Sequence, residues 1–313
     1  MPTISSTDLL VRNHATGVNP IDYRVRAGFL GAPIDPSKPV IVGWDGCGVV
    51  EQVGKDVTGF EKGDEVYYSG DVTKQGSYAE YTCVDHRVVA KKPKSLSFTQ
   101  AAAVPLVAIT AYELLHEIFQ VKSGETVLIW NGAGGVGSIG IQLAKLAGLK
   151  VIATAGRDET NKWCKSLGAD YILDHHTKKP IKEALKELGV EGGLDYVMHL
   201  HEPDNMGELI GCLKPFGKAG AILSISSEGM SRIDTVDMFM YRKSLCFEMM
   251  FARTMSQREP ERQGRLLKEV AELYDEGKLK DIKRTELDLG DAKKAQEVQE
   301  SGKSFGKIVM NIP

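Results

Sequence analysis

A glycine-rich turn between two apolar segments constrains the fold of this chain more than any other feature. Residues 126–145 read TVLIWNGAGGVGSIGIQLAK, and Val127 to Trp130 has the composition of a short buried strand. Four glycines follow between positions 132 and 137, and Ser138 to Ala147 has the apolar spacing of a helix. A second apolar segment, Lys150 to Ala155, completes a strand–helix–strand unit. Such a unit predicts a parallel sheet.

The same turn predicts a binding site for the pyrophosphate of a nucleotide. Glycine allows a sharp turn and a close approach of the backbone, and a helix N-terminus offers unpaired N–H groups with a partial positive charge. An ordinary strand–helix turn is the alternative. We favour nucleotide binding because strand, glycines, helix and second strand occur in the required order. The residues predicted to hold the phosphates are Gly132, Ala133, Gly134, Gly135, Val136 and Gly137.

The end of the second strand decides which dinucleotide the site prefers. In a site that prefers NADH, a carboxylate at this place binds the ribose 2′-hydroxyl. Here the strand is followed by Gly156 and Arg157, and the first acid is Asp158, a residue type typical of helix N-caps. Arg157 is then free to contact a 2′-phosphate, assisted by Lys162 one turn into the next helix, although a solvated surface charge is the alternative. We therefore predict NADPH as the cofactor.

Length and composition fit a globular protein of about two domains. The 313 residues are 42% hydrophobic and 26% charged, and the net charge of −3 provides no basic footprint for nucleic acid. No apolar run approaches the roughly 20 residues of a membrane span, and the N-terminus lacks the layout of a secretory signal. The five cysteines are scattered without CxxC spacing, as is typical of reduced thiols. We therefore expect a cytoplasmic protein that binds neither nucleic acid nor membranes.

The first third of the chain is strand-rich, and helix signals there are sparse. Apolar segments such as 40–53 and 77–84 alternate with glycine-containing turns, which predicts an all-β lobe over residues 1–98. Ser97 and Gln100 then have the spacing of a capping box, so a helix should begin at this point.

From Thr126 onward, strand and helix patterns alternate, which predicts a doubly wound parallel sheet with helices on both faces. One strand is predicted at Ala219–Ile225. The run LCFEMMF (Leu245–Phe251) has the pattern of the last strand of this sheet, with an apolar edge. A long amphipathic helix and a final strand at Lys307–Ile312 follow.

Several ordered segments resemble the medium-chain dehydrogenase/reductase superfamily. They are GVNPIDYRVRAG (17–28), VGWDGCGVVEQVGKDVTGFEKGDEVYY (42–68), GSYAEY (76–81), AAAVPLVAITAYELL (101–115) and NGAGGVGSIGIQLAK (131–145). The chain also resembles the zinc-independent quinone oxidoreductase branch, and within it the subfamily often labelled "zinc-type alcohol dehydrogenase-like". That likeness is carried by TAGRDETNKWCKSLGADYILDHH (154–176), KSLCFEMMF (243–251) and SGKSFGKIV (301–309).

The resemblance implies a fold of class α/β with three consecutive parts. Residues 1–98 would form a GroES-like β-rich catalytic lobe, residues 99–240 a Rossmann domain that binds NADPH, and residues 241–313 a return to the sheet edge and the catalytic lobe. It also implies a homodimer, because relatives pair the LCFEMMF edge with its two-fold mate. Members usually carry a strand pair before the segment matching DLLVR, so this chain either lacks an edge hairpin or has a truncated start.

The residues at the metal positions of zinc-dependent relatives predict that no metal is bound. Those relatives hold zinc with a cysteine in a GVCHTD-like turn and a histidine in a GHE triplet, where this chain has Asn19 and Trp44. Neither side chain is a zinc ligand, and a structural four-cysteine lobe is absent from the sequence. A competing interpretation places a metal at His199 with His201 or at His175 with His176. Strand ends that line a cofactor cleft, or exposed imidazoles, explain those histidines as well.

By the same resemblance, six residues are candidates for contact with the substrate or the nicotinamide. They are Asn19, Asp22, Tyr23, Arg24, Trp44 and Thr110. Asn19 and Asp22 would lie in a turn, where Asn19 donates a hydrogen bond to the substrate oxygen or instead bonds its own backbone. Tyr23 and Arg24 would supply a proton or an oxyanion partner. Trp44 is either a wall for a flat acceptor or a core residue, and Thr110 either reaches the nicotinamide or caps a helix.

Seven further residues are candidates for contact with the cofactor, namely His175, Leu200, Ser224, Ser226, Phe251, Lys303 and Lys307. His175 falls where relatives place a tyrosine that packs on the adenosine phosphate. Leu200 and the serines are predicted at strand ends, where ligands bind in open parallel sheets. Phe251 and the two lysines come from the returning segment, where they either close over the nicotinamide or only pack and solvate.

Without a metal, hydride transfer needs an acceptor carbon that is already electrophilic. Quinones and α,β-unsaturated carbonyls meet this condition, because their developing oxygen charge can be stabilised by protein groups. We therefore predict an NADPH-dependent reductase of such small molecules. The alternatives are a zinc-type alcohol dehydrogenase and a non-catalytic NADPH-binding protein that acts as a sensor or a structural component.

Overall fold

The computed structural model describes residues 2–29, 39–302 and 304–313. The chain divides into two compact units. Unit 1 consists of Met1–Ile109 and Met250–Pro313, so both ends of the chain contribute to it. Unit 2 is the single segment Thr110–Met249.

The described residues form strands and helices throughout both units. The strands are β1 (Asp8–Val18), β2 (Asp45–Val53), β3 (Glu65–Ser69), β4 (Tyr81–Asp85), β5 (Val89–Lys91), β6 (Thr126–Trp130), β7 (Lys150–Ala155), β8 (Tyr171–Asp174), β9 (Leu194–His199), β10 (Leu213–Ala221), β11 (Ser244–Phe247), β12 (Arg284–Asp288) and β13 (Lys307–Asn311). The α-helices are α1 (Pro20–Arg26), α2 (Phe98–Ala102), α3 (Pro105–Tyr112), α4 (Gly135–Leu146), α5 (Asp158–Ser166), α6 (Ile181–Glu187), α7 (Met206–Gly211), α8 (Ser227–Ser231), α9 (Thr235–Tyr241), α10 (Ala252–Ser256), α11 (Glu261–Asp275) and α12 (Ala292–Glu300). Short 3₁₀ turns cover His86–Val88 and Leu289–Asp291, and a π-helix covers Glu113–Phe119.

The sheet of unit 1 joins the two ends of the chain. Its strand order is β12-β13-β1-β2-β3-β5, and β4 also pairs with β1. Strand β1 is antiparallel to β2, β4 and β13, and nearly all of its residues are buried. The register places Val18 opposite Ile308. The last strand therefore brings Lys307 beside the start of α1.

The sheet of unit 2 has the order β11-β10-β9-β6-β7-β8. All neighbouring strands in it are parallel, which confirms the prediction of a doubly wound sheet. Its core contains completely buried residues from three adjacent strands, namely Leu128, Ile152 and Val197. Apolar runs of this kind are expected where both faces of a parallel strand are covered.

The prediction of an all-β first lobe is wrong at one point, because α1 follows β1 almost directly. Pro20 lies in the first turn of α1, where the N–H that proline lacks would have no intrahelical partner. Asn19 is the N-cap, and its N–H donates to Asp22 Oδ2 at 2.8 Å. Asn19 and Asp22 therefore belong to a helix start rather than a turn. The neighbouring strands are also shorter than predicted, since β2 begins at Asp45 and β4 at Tyr81.

The capping box predicted at Ser97 is confirmed. Ser97 Oγ accepts from the N–H of Gln100 at 3.2 Å, and Gln100 Oε1 accepts from the N–H of Ser97 at 2.8 Å. The helical segment that follows is interrupted before Pro105 and continues as α3 and the π-helix.

Two strand boundaries in unit 2 differ from the prediction. Strand β10 ends at Ala221, so the polar segment after it is not part of the sheet. Strand β11 ends at Phe247, and the chain leaves unit 2 after Met249. The run LCFEMMF is therefore not one continuous strand, because its last residue, Phe251, is the N-cap of α10 in unit 1.

Over the described ranges, no helix combines the length and the apolar character needed to cross a membrane. Each of the five cysteines is a free thiol.

Candidate active site and cofactor site

The glycine-rich turn joins β6 to α4 at the carboxyl end of β6. Gly134 is the N-cap, and α4 begins at Gly135 rather than at Ser138 as predicted. A Cβ on Gly137 would lie 2.5 Å from the carbonyl oxygen of Asn131 and 2.6 Å from that of Gly132. Both atoms belong to the backbone and cannot move aside. Glycine is therefore required at 137 for the helix to pack directly on the turn.

This turn has the features that a dinucleotide diphosphate requires. The N–H groups of Gly135, Val136 and Gly137 belong to the first turn of a twelve-residue helix, where no intrahelical acceptor exists. Gly132 N–H donates to the carbonyl of Thr154 at 2.9 Å, which fixes the turn against β7. Ala133, also predicted in this site, is buried, with 7% of its surface exposed.

Arg157 lies two residues after the end of β7, and the N-cap of α5 differs from the prediction. Arg157 rather than Asp158 is the N-cap of α5. Its N–H donates to Thr160 Oγ1 at 3.1 Å, and its carbonyl accepts from the same hydroxyl at 2.8 Å. Thr160 thus takes the capping role expected of Asp158. Both Arg157 and Lys162 are exposed.

A row of rings follows the carboxyl ends of β6, β8 and β9. Trp130 stacks on His199 with ring centroids 5.7 Å apart, and the His175 centroid lies 6.4 Å from Trp130. His175 in turn contacts His176 edge to face at 4.3 Å. His199 is buried, and its Nε2 lies 2.8 Å from Asn205 Oδ1. Burial lowers the pKa of His199, while its hydrogen bonds to Asn205 Oδ1 and to the carbonyl of His201 oppose that shift.

The remaining unit 2 candidates do not gather around one point. Leu200 follows β9 and is buried. Ser224 and Ser226 are exposed beyond the end of β10, which corrects their prediction as strand ends. Ser226 is the N-cap of α8, and its hydroxyl accepts from the N–H of Gly229 at 3.0 Å. Lys303 lies outside the described residues.

A buried cluster of polar side chains forms around Asn19 in unit 1. Asn19 Nδ2 donates to Asp45 Oδ2 at 2.8 Å, and Asn19 Oδ1 accepts from Lys307 Nζ at 2.5 Å. Lys307 Nζ also donates to the carbonyl of Val18 at 3.0 Å and lies 3.4 Å from Asp45 Oδ2. Asp45 Oδ1 accepts from the N–H of Leu106 at 2.9 Å. The side chain of Asn19 thus bonds other side chains rather than its own backbone.

Each ionisable member of this cluster is buried and strongly affected by its surroundings. Burial raises the pKa of Asp45 and lowers the pKa of Lys307, while the attraction between their charges opposes both shifts. The Asp45 carboxylate accepts from two N–H donors besides facing the ammonium, which favours its charged form. Lys307 is therefore held inside unit 1 by a complete set of oxygens, and it does not extend into solvent.

Asp22 lies beside this cluster, in surroundings that favour its protonated form. Its Oδ2 accepts from the hydroxyl of Tyr78 at 2.8 Å as well as from Asn19 N–H, whereas its buried Oδ1 has no hydrogen-bond partner. Complete burial raises the pKa of Asp22 to about 7, although these donors and the Lys307 charge lower it. Tyr78 is only half-buried, so it connects Asp22 to a less enclosed region.

The other unit 1 candidates lie outside this cluster. Tyr23 and Arg24 are half-buried on α1, with the Arg24 guanidinium carbon 6.0 Å from the centroid of the Tyr23 ring. Trp44 and Phe251 are both buried and meet edge to face at 6.1 Å. Trp44 Nε1 donates to the carbonyl of Lys74 at 3.3 Å. Trp44 and Phe251 therefore pack against each other in the interior of unit 1.

Thr110 is a buried residue inside α3 and does not cap a helix, which corrects that alternative. A hydrogen bond from its side chain to the buried carboxyl of Glu248 lowers the pKa of that acid, but burial and the charge of Glu113 raise it to about 8. This pair of buried acids follows β11 and opens the π-helix, and the sequence analysis did not single it out.

Two other residues of the unit 1 cluster were also missed from the sequence. Asp45 lies within the segment 42–68 and Tyr78 within GSYAEY, and neither was predicted as a site residue. The signal for Asp45 is an acid inside an otherwise apolar strand, because such a residue is buried only with partners. No local pattern connects either residue to Lys307.

No group of three or more histidine, cysteine, aspartate or glutamate side chains arranged to hold a metal ion exists among residues 2–29, 39–302 and 304–313. His199 Nδ1 instead lies 3.1 Å from the carbonyl oxygen of His201.

Comparisons with known proteins agree with this architecture. Residues 5–94 match the family of alcohol dehydrogenase GroES-like domains, and residues 135–269 match the zinc-binding dehydrogenase family. A zinc-type alcohol dehydrogenase-like protein of Staphylococcus epidermidis is 34% identical over 100% of this chain and 93% of its own length. The human quinone oxidoreductase is 32% identical over 81% of this chain and 75% of its own length.

A solved structure shows the same fold. The quinone oxidoreductase of Escherichia coli complexed with NADPH is 25% identical and has a TM-score of 0.84, with 100% of this chain and 94% of that chain covered. The GroES-like lobe, the parallel-sheet nucleotide unit and these relatives define an oxidoreductase that uses a nicotinamide cofactor. The chain belongs to the medium-chain dehydrogenase/reductase superfamily.

Proposed function

We propose that this protein is an NADPH-dependent reductase that transfers hydride to quinones or α,β-unsaturated carbonyls without a metal. The observation that carries the proposal is the buried ammonium of Lys307. It lies between the oxygens of Val18, Asn19 and Asp45, at the segment where the resemblance implies that zinc-dependent relatives bind their metal. The positive charge at this place is thus supplied by the chain itself.

The cofactor part of the proposal rests on the glycine-rich turn and on Arg157. The first-turn N–H groups of α4 would hold the diphosphate, and Arg157 would pair with the 2′-phosphate. Neither Gly156 nor Arg157 can accept a hydrogen bond from a ribose hydroxyl through its side chain, as a carboxylate would in a site that prefers NADH. When bound, the nicotinamide supplies the hydride for the acceptor carbon.

The residues of unit 1 would control the proton that accompanies reduction. Asp22 holds a proton in part of the population near neutral pH, since its pKa is raised to about 7. Tyr78 is 2.8 Å from it and half-buried. In this proposal the hydroxyl of Tyr78 donates its proton to the substrate oxygen, and the protonated carboxyl of Asp22 then donates its proton to the Tyr78 oxygen. This step reverses the hydrogen bond that Tyr78 donates to Asp22 in the structure. Lys307 and Asp45 hold Asn19, and Asn19 N–H holds the Asp22 carboxyl in place.

The test is a turnover screen with purified protein. NADPH oxidation is followed with benzoquinone, naphthoquinone, a vinyl ketone and an aliphatic aldehyde, before and after exhaustive chelation, and bound metal is measured in the same sample. We expect turnover of quinones or the enone that survives chelation. Stoichiometric zinc lost together with aldehyde reduction would identify a zinc-type alcohol dehydrogenase, and NADPH binding without turnover a non-catalytic protein.

Two variants test the proton route separately. Tyr78→Phe and Asp22→Asn should each lower kcat by roughly 100-fold, the usual contribution of a positioned proton donor, with little change in NADPH affinity. Tyr171→Phe on β8 is the matched control and should retain full activity. Unchanged kcat in both variants would remove this pair from the mechanism.

A further inference from the structure

Two histidines after β8 lie against Gly156, the residue that follows β7. Ala155 and Asp174 are paired across these parallel strands, so Gly156 and His175 follow at the same edge of the sheet. A Cβ on Gly156 would lie 2.5 Å from His176 Cδ2 and 2.8 Å from His175 Nε2. Glycine at 156 therefore leaves the space that both imidazoles occupy.

The two rings contact each other, and the charge of Arg157 acts on His175. Their centroids are 4.3 Å apart in an edge-to-face contact. His175 is half-buried and His176 is exposed, so one ring is partly desolvated while the other reaches solvent. The groups whose charges act on His175 are Arg157 from the start of α5, His201 from the segment after β9, His176, and the carboxylate of Asp174.

This environment favours the neutral form of His175 in the absence of an anion. Burial lowers its pKa below the ordinary histidine value, and the charges of His176, His201 and Arg157 lower it further, while Asp174 raises it. An anion bound between these groups would raise the pKa of His175, because a negative charge stabilises the protonated ring.

We propose that His175 and His176, together with Arg157, form a proton-dependent recognition site for the 2′-phosphate of NADPH, so that the preference for NADPH over NADH strengthens as the pH falls. This inference rests on the proposed function, because it assigns a role to residues at the cofactor site. A protonated imidazole has two N–H donors, whereas a neutral ring offers one donor and one acceptor whose lone pair repels a phosphate oxygen. Binding of the phosphate dianion therefore draws a proton onto His175.

Whether protons are taken up or released on binding shows whether protein groups or the ligand titrate. The phosphate itself has a second pKa of about 6, and a basic site stabilises its dianion, so titration of the ligand alone would release protons. Protons taken up on binding can only be bound by protein groups. NADH lacks the 2′-phosphate and provides the internal reference.

The experiment is isothermal titration calorimetry with the full chain and with NADPH or NADH, in two buffers of different ionisation enthalpy at about pH 7.5. We expect NADPH to bind with uptake of a fraction of a proton more than NADH. The ratio of the two affinities should rise roughly tenfold between about pH 8.5 and pH 6.5, as one neutral contact becomes charge-assisted. The double variant His175→Gln with His176→Gln should lose both effects and keep its affinity for NADH. His86→Gln in unit 1 is the control and should behave as the wild type.

The outcomes distinguish this inference from the proposed function. A preference for NADPH that is independent of pH, without proton uptake, would overturn the histidine site and leave the cofactor assignment standing. Proton uptake that persists in the double variant would also overturn it. A preference for NADH at every pH, or no binding of either dinucleotide, would refute the proposed cofactor and the histidine site together.

Discussion

Lys307 Nζ and Asn19 Oδ1 lie 2.5 Å apart, although 288 positions separate the two residues in the chain. Antiparallel pairing of β1 with β13 creates this contact. Asn19 is the N-cap of α1 and Lys307 the first residue of the last strand, so one ammonium stabilises the junction of three elements. Asp45 in β2 completes the arrangement as the buried counter-charge.

Removal of the Lys307 ammonium should destabilise unit 1 strongly. Lys307→Met leaves Asp45 buried without its cation, which typically costs about 3–5 kcal/mol. Adding Asp45→Asn removes the orphaned charge and should recover part of that loss. Urea unfolding of both variants measures the effect, and Lys293→Met, whose side chain is 89% exposed, is the control. Equal stability of Lys307→Met and the wild type would show that the pair is not coupled.

Glu248 should make stability fall as the pH rises. Its pKa moves from 4.5 to about 8 on folding, so the native state binds more protons than the unfolded state over that window. The stability it contributes is present below the lower value and is lost progressively up to the higher one, with a slope of at most about 1.4 kcal/mol per pH unit for one proton.

Glu248→Gln removes this titration, so the difference in stability between variant and wild type should grow with pH in favour of the variant. Asp22 has a shift of the same sign but is present in both proteins, and it cancels in the difference. The exposed Glu272→Gln serves as the control in the same pH series of urea titrations. A pH-independent difference would contradict the assignment.

Arg157→Ala should change cofactor preference without changing the fold. Loss of a charge-assisted contact with the 2′-phosphate should weaken NADPH binding roughly 10- to 100-fold and leave NADH binding almost unchanged. Lys162→Ala should show a smaller loss, because a flexible ammonium gives up more entropy per contact. Fluorescence titration measures both cofactors, with the exposed Lys178→Ala as reference. Equal weakening of both cofactors would mean that Arg157 supports the fold.

The chain should form a homodimer through the edge of the unit 2 sheet. β11 is the first strand of the sheet order, and large apolar side chains are exposed on it and on α9, including Phe247 at 54%, Phe239 at 81% and Met240 at 66%. An apolar sheet edge left uncovered favours pairing with a second copy. Light scattering should give twice the chain mass at micromolar concentration and one chain for Phe239→Asp with Met240→Asp. Leu146→Asp, at an exposed site on α4, should remain dimeric; a monomeric wild type would refute the prediction.

The fold could be predicted from the sequence wherever its cause is local. The apolar strand, the glycines and the following helix specify the parallel-sheet unit within a short stretch of sequence. The capping box at Ser97 is likewise present in the structure. The helix start at Pro20 is equally local, but the resemblance to a metal-binding segment predicted a turn at this place. The prediction for Ser226 is wrong because β10 ends at Ala221 and Ser226 instead caps α8.

The unit 1 cluster could not be predicted because its causes are long-range. Lys307 follows Gly306 in the chain, and only the pairing of β1 with β13 brings it to Asn19. Asp45 and Tyr78 have no pattern of spacing that links them to that lysine. Burial, which produces the pKa shifts, depends on packing of the whole sheet and has no signature in any single segment.

The contribution of both chain ends to unit 1 sets the order in which the protein can complete its folding during synthesis. Unit 2 is one uninterrupted segment and is available to fold once Met249 has left the ribosome. Unit 1 must wait for β13, the strand that carries Lys307. Until then the carboxylate of Asp45 has no cation to accompany it into the interior. A chain released before β13 has been made would therefore carry a complete unit 2 and an unfinished unit 1.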